Sequence, residues 1–348
     1  MKGFSYIRTT LAGSALNAAL LVLCAIIIGT GCHRRPLEDP DYNTRIKVKV
    51  NTDSIRNVTC DIYNDEVPIP VIQQDVMHVI LFNEDSDRIA CETYLTDYDT
   101  DAEGRKTFYG DLSVVPGTYR LYTYNFGTES TLIRDQYSWG GAEAYAMGVS
   151  DRISRAFTTK VQSGDLFTYS PDHLVVARKP EEVIPYHTGV YTVEAEATTV
   201  VESYYLQIKV EGLIYVNTAT AVLSGMSSAN YIAVGDRVDD PQSTVYFELQ
   251  KSNDNGVPVI CAVFNTFGRP DASTNDLEVT FDIQTKAGSK VQRTFNISDL
   301  FLSENCIKHH WLLLEETIHI DPPDQSGGTS GFDPKVEDWE NEEHEIVL

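Results

Sequence analysis

Among the residues able to do covalent chemistry, Cys32 has the most telling neighbours. It ends the run Ile28-Gly29-Thr30-Gly31-Cys32, whose small side chains suit a narrow protease site and whose thiol suits thioether formation with a lipid. The other cysteines are Cys24, Cys60, Cys91, Cys261 and Cys306, and none has the close spacing of a zinc or redox site. In an oxidising compartment one or two disulfides could form among the last four; the alternative is four small buried apolar residues, and the pairing stays open. Asp97, Asp99, Asp101 and Glu103 alternate before Gly104, with the carboxylate density that calcium wants. The calcium-loop pattern nevertheless fails, since its sixth position is Ala102 and its twelfth is Phe108. An exposed acidic hairpin loop is expected there. His309 and His310 are adjacent, and neighbours on a strand point to opposite faces, so a polar strand end is expected rather than a metal site. The chain has no G-x-S-x-G elbow, phosphate loop, dinucleotide fingerprint or H-E-x-x-H helix. With the acids scattered, no catalytic residue, cofactor or metal is expected, and the chain reads as non-enzymatic.

The elements that must position Cys32 come first in the chain. Lys2 and Arg8 form a basic head, and Leu11 to Ile28 is an apolar run without a charge. This is the build of a secretory signal. An uncleaved membrane anchor is the competing reading, because the run is nearly long enough to span a bilayer. Gly31-Cys32 at its end resembles the lipobox of bacterial lipoproteins, which implies cleavage between Gly31 and Cys32 and lipidation (palmitate included) of Cys32. Residues 1–31 are therefore expected to be a lipoprotein signal peptide, and 32–40, with Pro36 and Pro40, an extended lipidated tether.

Beyond the tether the hydrophobic period is two. Ile46, Val48 and Val50 alternate with Arg45, Lys47 and Lys49, as in a half-buried strand. Similar signals follow at His78–Phe82, at Tyr119 to Phe126 after the Pro116-Gly117 turn, and at Leu174–Ala177. They continue at Leu206/Ile208/Val210, Val245/Phe247/Leu249, Leu277/Val279/Phe281/Ile283 and Ile318/Ile320. Aromatic residues occupy both faces of 119–126. Only Asp151–Phe157 and Ser298–Leu302 suggest helical turns. Many short strands and no βαβ rhythm predict an all-β chain of antiparallel sandwiches. Pro180, Pro185 and Gly189 cluster between two strand-rich halves, which places one sandwich at 41–185 and a second at 186–321.

Residues 322–348 differ in kind. A Gly/Ser linker leads into an acidic segment that also holds Val336, Trp339, Ile346, Val347 and Leu348. A solvated acidic tail and a strand that docks elsewhere both fit. Across the whole chain 27 basic residues face 51 acidic ones, for a net charge of −24. Such a surface repels polyanions, which excludes nucleic acid as a partner.

Four groups of residues together resemble the fimbrillin-like lipoproteins of Bacteroidales fimbriae, particularly the anchor-type, minor or accessory subunits. They are the lipobox with Cys32-His33-Arg34-Arg35-Pro36-Leu37-Glu38-Asp39-Pro40, and Val115-Pro116-Gly117-Thr118-Tyr119 leading to Tyr124-Asn125. Next is Val210-Glu211-Gly212-Leu213 with Leu223-Ser224-Gly225-Met226, and last Gly331-Phe332-Asp333 to Val336-Glu337-Asp338-Trp339-Glu340. The resemblance implies two tandem transthyretin-like sandwiches and a fimbrial anchor or accessory subunit, lipid-anchored in the outer membrane and facing outward. It implies other fimbrial subunits as partners through strand addition, with Val336, Trp339, Ile346, Val347 and Leu348 as a strand-exchange tail. In that family, polymerising subunits first lose an N-terminal segment by cleavage after an Arg. Arg45 instead heads the first strand, which suits an anchor that keeps its lipid. The alternative is a surface module that binds glycan or host protein, with Tyr137 and Trp139 as contacts; a third reading is a structural periplasmic lipoprotein.

Overall fold

A computed structural model describes residues 44–52, 60–69, 72, 75–157, 166–270 and 277–323. Gly31, Cys32, Val336, Trp339, Ile346, Val347 and Leu348 lie outside the described residues.

The described strands open with β1 (Thr44–Asn51), β2 (Met77–Asn83), β3 (Ile89–Leu95), β4 (Asp97–Thr100), β5 (Lys106–Val114) and β6 (Gly117–Asn125). Short strands β7 (Thr131–Arg134) and β8 (Glu143–Ala146) come next, then helix α1 (Asp151–Phe157) and β9 (Leu166–Tyr169). They are followed by β10 (Val175–Ile184), β11 (Val190–Thr199), β12 (Glu202–Glu211), β13 (Val216–Tyr231) and β14 (Arg237–Asp254). The series ends with β15 (Val257–Thr266), β16 (Glu278–Thr285), β17 (Lys290–Asn296), helix α2 (Glu304–His309) and β18 (Trp311–His319). Helical turns expected at Asp151–Phe157 form as α1, whereas Ser298–Leu302 yields one 3-10 turn at Leu300–Leu302. Helix α2 follows because Ser303 caps it, its hydroxyl accepting from the Cys306 amide at 3.2 Å.

The strands form two sheets, ordered β3-β2-β6-β10-β11-β1-β5-β4 and β17-β16-β13-β14-β15-β12-β18, with β7, β8 and β9 added to the second. Each sheet folds over itself into a sandwich through one long strand. In the first, Arg45 to Asn51 of β1 pair with Val190 to Glu196 of β11, whose last residues pair with β10. In the second, β14 pairs with β13 up to Leu249 and with β15 from Gln250 onward. The first core gathers Ile46, Val48, Val79, Leu81, Phe108 and Val175, and the second Leu206, Ile208, Phe247, Phe264, Phe281 and Leu312. Each such side chain contributes roughly 1.5–3 kcal/mol by leaving water.

The expected antiparallel pairing holds for most strands, with three parallel exceptions: β1 with β11, β12 with β18, and β9 with β14. The first two share a logic. Each sandwich closes by laying its first strand beside its last in the same direction. Parallel neighbours need a long crossover, and the intervening unit supplies it.

The expected boundary at 185/186 falls between β10 and β11, both strands of the first sheet. Conversely β7, β8 and β9, inside the expected first unit, hydrogen-bond into the second sheet. The reason is visible in 119–126. Tyr119 and Leu121 face the first core, while Tyr122 and Tyr124 pack with Ile80, Phe82, Trp139, Ala144 and Ile232 in a separate cluster. The aromatic residues on both faces of β6 thus mark a strand buried on both sides.

Candidate strand-exchange edges and aromatic surface

Strand β1 is an interior strand, hydrogen-bonded to β5 on one side and β11 on the other. Its alternation buries Thr44, Ile46, Val48 and Val50. The ends are pinned as well: Thr44 Oγ1 donates to Pro185 O at 2.8 Å, and Thr52 Oγ1 donates to Lys106 O at 2.8 Å. Arg45 points outward to Asp111 at 3.4 Å. A cut after Arg45 would remove only the first two residues of β1 and leave Ile46–Asn51 in place. Among the described residues the two main strand orders end at β3, β4, β17 and β18, and the added strands β7 and β9 each pair with a single named strand; unpaired edges are where another chain can add a strand.

The start of edge strand β18 is covered by residues 60–69, which come from the connection between β1 and β2. Cys60, Val67 and, less deeply, Tyr63 and Ile69 pack on Tyr205, Val259, Cys261, Trp311 and Leu313. Tyr63 is wedged between rings, its centroid 5.0 Å from Tyr205 and 5.0 Å from Trp311. Its hydroxyl donates to Asp254 Oδ2 at 3.0 Å, and Gln207 Nε2 donates to the same oxygen at 2.8 Å. Burial, with Asp254 beside it, holds the phenol above its ordinary value. Trp311 Nε1 donates to Asp61 O at 2.8 Å.

The two adjacent histidines part ways. His309 Nδ1 lies 2.6 Å from Asp61 Oδ2 and its ring stacks on Trp311. His310 takes φ 58 at the end of α2, stacks on Tyr204 and places Nδ1 3.0 Å from Ser203 O. Among the described residues no group of three His, Cys, Asp or Glu side chains is placed to hold a metal ion. In the acidic loop Asp97 and Asp99 are exposed on β4, while Asp101 accepts from the Glu103 and Arg105 amides at 2.9 and 2.8 Å and pairs with the Arg105 side chain. Asp101 is thus engaged as a turn cap.

Cys60, Cys91, Cys261 and Cys306 are free thiols. Burial pushes Cys60 and Cys91 up to about 11 and Cys306 up to about 12. These thiols stay protonated at neutral pH and behave as small packing groups.

On the face of β2, β3 and β6 turned away from the first core, an aromatic group holds His78 and Tyr124 buried and Tyr94 and Phe126 at an exposed rim. The His78 ring stacks on Tyr94 at 4.4 Å, Tyr94 meets Phe126 edge-on at 5.7 Å, and His78 Nδ1 sits 2.7 Å from Tyr124 OH. Burial lowers the His78 pKa, opposed by Glu92, whose carboxylate lies 3.3 Å from Nε2. Tyr94 and Phe126 remain 51% and 61% exposed, and Tyr137 54%. Trp139, expected beside Tyr137 as a contact, is 8% exposed and packs on Phe82 and Tyr122. Only Tyr137 of that pair is therefore available at the surface.

One constellation escaped sequence reading because its members are far apart in the chain. His173 Nδ1 lies 3.0 Å from Thr199 Oγ1 and Nε2 lies 2.7 Å from Ser203 Oγ. Ser203 donates to Asn265 Oδ1 at 2.7 Å, and Asn265 Nδ2 donates to Pro171 O at 2.9 Å. Burial drives His173 down to about 4. The network joins β11 of the first sandwich to β12 and β15 of the second.

The described residues thus form two sheet-built sandwiches that carry strand edges and an aromatic cluster. Residues 50–248 match the family described as a domain of unknown function, DUF5119, and the chain belongs to that family. A protein of Bacteroides ovatus, named as a candidate fimbrium anchoring subunit, is 27% identical over 245 residues, covering 70% of this chain and 64% of that protein. The chain thus spans just under two thirds of that relative's length. A crystal structure of a candidate adhesin, also from Bacteroides ovatus, superposes with a TM-score of 0.58 at 23% identity, covering 84% of this chain and 98% of the other. The resemblance to Bacteroidales fimbrial proteins read from the sequence is borne out by the first relative, and the all-β fold by the second.

Proposed function

We propose that this chain is a non-enzymatic anchor or accessory subunit of a fimbria, held at the outer membrane by lipid on Cys32 and joined to neighbouring subunits by strand addition. The observation that carries this reading is the relative named as a fimbrium anchoring subunit, which aligns over 70% of the chain. The geometry supports the same role. Strand β1 is stitched on both sides and pinned at both ends, so the first sandwich keeps its own strand instead of offering a vacant groove. Contact with a neighbour would then run through an edge strand or through the tail holding Val336, Trp339, Ile346, Val347 and Leu348. The lipid would be added after cleavage between Gly31 and Cys32, and a single acyl group binds a membrane only weakly, so more than one chain on the cysteine would be needed for stable retention.

Deletion of the gene tests this role, and a Cys32→Ser chain tests the lipid. Fibres should detach into the medium in both strains, and the Cys32→Ser product should leave the membrane fraction. Fibres unchanged in number, length and retention on deletion would refute the role.

A second reading, a surface module that binds glycan or host protein, is favoured by the exposed rings of Tyr94, Phe126 and Tyr137. Rings of this kind stack on sugar faces and fill protein pockets.

A further inference from the structure

Where the two sandwiches meet, a cavity of about 230 Å3 is lined by Arg178, Thr198 and Thr199 of the first and by Glu202, Asn230, Gly235 and Arg237 of the second. Four buried side-chain polar atoms among the described residues have no hydrogen-bond partner, and two of them, Arg178 Nε and Asn230 Oδ1, belong to this lining. Buried polar groups are nearly always satisfied, so two orphans around one cavity mark a place where polar partners are held, water in the empty site and a polar ligand in the filled one.

The chemistry of the two orphans is complementary and fixed. Asn230 is 4% exposed, and its Nδ2 donates to Gly235 O at 3.0 Å. That bond sets the amide orientation, leaving an acceptor oxygen for the cavity. Arg178 forms no ion pair with a described residue, and its burial lowers the guanidinium pKa against the pull of exposed Asp236. The second arginine is already neutralised: Arg237 Nη2 donates to Glu202 Oε1 at 2.6 Å and Nη1 donates to Arg269 O at 2.7 Å. Arg178 is therefore the arginine of this lining that lacks a side-chain ion pair among the described residues. The local backbone is shaped around it, since Gly235 has φ +84 and a Cβ there would lie 2.0 Å from Arg178 Nη1. The ligand must offer an anionic acceptor to Arg178 and a hydroxyl donor to Asn230. Thr198 stands beside them as a further hydroxyl, while that of Thr199 is taken up by His173 and Val201. The cavity is smaller than the ~300–1,000 Å3 of drug-sized pockets, which sets the ligand at the scale of one small molecule.

We infer that the junction cavity is a binding site for a small hydroxylated carboxylate of the sugar-acid type, with Arg178 holding the carboxylate and Asn230 a hydroxyl. This site is separate from the strand edges and does not depend on the anchoring role. A ligand there touches β10 and β11 on one side and β13 and β14 on the other, so its binding tightens the junction.

Titration calorimetry of the purified full chain tests the assignment with four probes: glucuronate, glucose, acetate and inorganic phosphate. Glucuronate should bind saturably and at least about tenfold more tightly than glucose, which lacks the carboxylate, and than acetate, which lacks the hydroxyls. Arg178→Gln and Asn230→Ala should each weaken glucuronate by about tenfold or more, and Thr198→Ala, a smaller change, by less. Absence of saturable binding to the unaltered chain would overturn the site. Phosphate or acetate binding as well as glucuronate would overturn the ligand class. Glucuronate affinity unchanged in folded Arg178→Gln or Asn230→Ala protein would place the binding elsewhere. Fibre retention plays no part in these outcomes, so the anchoring role can fail or stand independently.

Discussion

His173 Nε2 lies 2.7 Å from the Ser203 hydroxyl, and through that contact the segment entering β10 is tied to the first strand of the second sandwich. The hydrogen bond from Ser203 to Asn265 then carries the tie across to β15. Both imidazole nitrogens have hydroxyl partners, so the neutral ring is satisfied where a charged one would be desolvated.

That arrangement makes stability fall in mild acid. Folding lowers the His173 pKa from 6.5 to about 4. Between those values the unfolded chain binds a proton that the folded chain does not. Stability from this group is therefore complete above pH ~6.5, declines as pH drops towards ~4, and levels off below, a change on the order of 3 kcal/mol at most. Denaturant midpoints measured from pH 7 to pH 4 should fall more steeply in the unaltered chain than in His173→Gln. Parallel profiles would contradict the claim.

Gly212→Ala should destabilise the second sandwich. Gly212 has φ 81, and a Cβ there would sit 2.2 Å from Ile320 O, a backbone atom that cannot swing aside. Strain of this kind costs about 1–3 kcal/mol, readable as a lower unfolding midpoint. An unchanged midpoint would mean that the 320–323 segment moves freely.

Tyr63→Ala should release residues 60–69 from the second sandwich. The substitution removes two ring contacts and the hydrogen bond to Asp254. Limited proteolysis should then cut within 60–69 earlier, with Trp311 emission shifted to the red. The loss in stability is about 1–3 kcal/mol.

Tyr137→Ala and Trp139→Ala should behave as opposites. Trp139 is packed against Phe82 and Tyr122, so its loss opens a cavity costing about 3–5 kcal/mol. Tyr137 is 54% exposed, and its loss should stay within about 0.5 kcal/mol. Thermal unfolding of the two variants decides the matter, and equal effects would show that Tyr137 also packs.

The strands were legible wherever one face is buried. Leu277, Val279, Phe281 and Ile283 are all buried, and their polar alternates point away from that core. The double-sided aromatic pattern of β6 was visible too, and its meaning as a strand covered on both faces follows only once Trp139 and Ala144 are seen against it. Strands β7, β8 and β9 are four residues each, too short to display a period. Parallel closure of β1 on β11 and of β12 on β18 leaves no local trace, because it depends on where a strand arrives after a whole unit has folded. The junction chemistry was hidden for the same reason. Arg178 and Asn230, or His173 and Asn265, are ordinary polar residues until the fold sets them side by side.

Residues 60–69, between β1 and β2, lie against the second sandwich, β7 to β9 join it from the first half, and β10 and β11 return to the first. The thread of the polypeptide therefore weaves back and forth through the seam instead of passing it once. Pulling on the two termini would load that seam in shear across several passes simultaneously, and a single nick in any connection would leave the pieces interlocked. Expressing 41–185 or 186–321 alone would sever partners on both sides of the seam, so neither fragment should fold as an independent body.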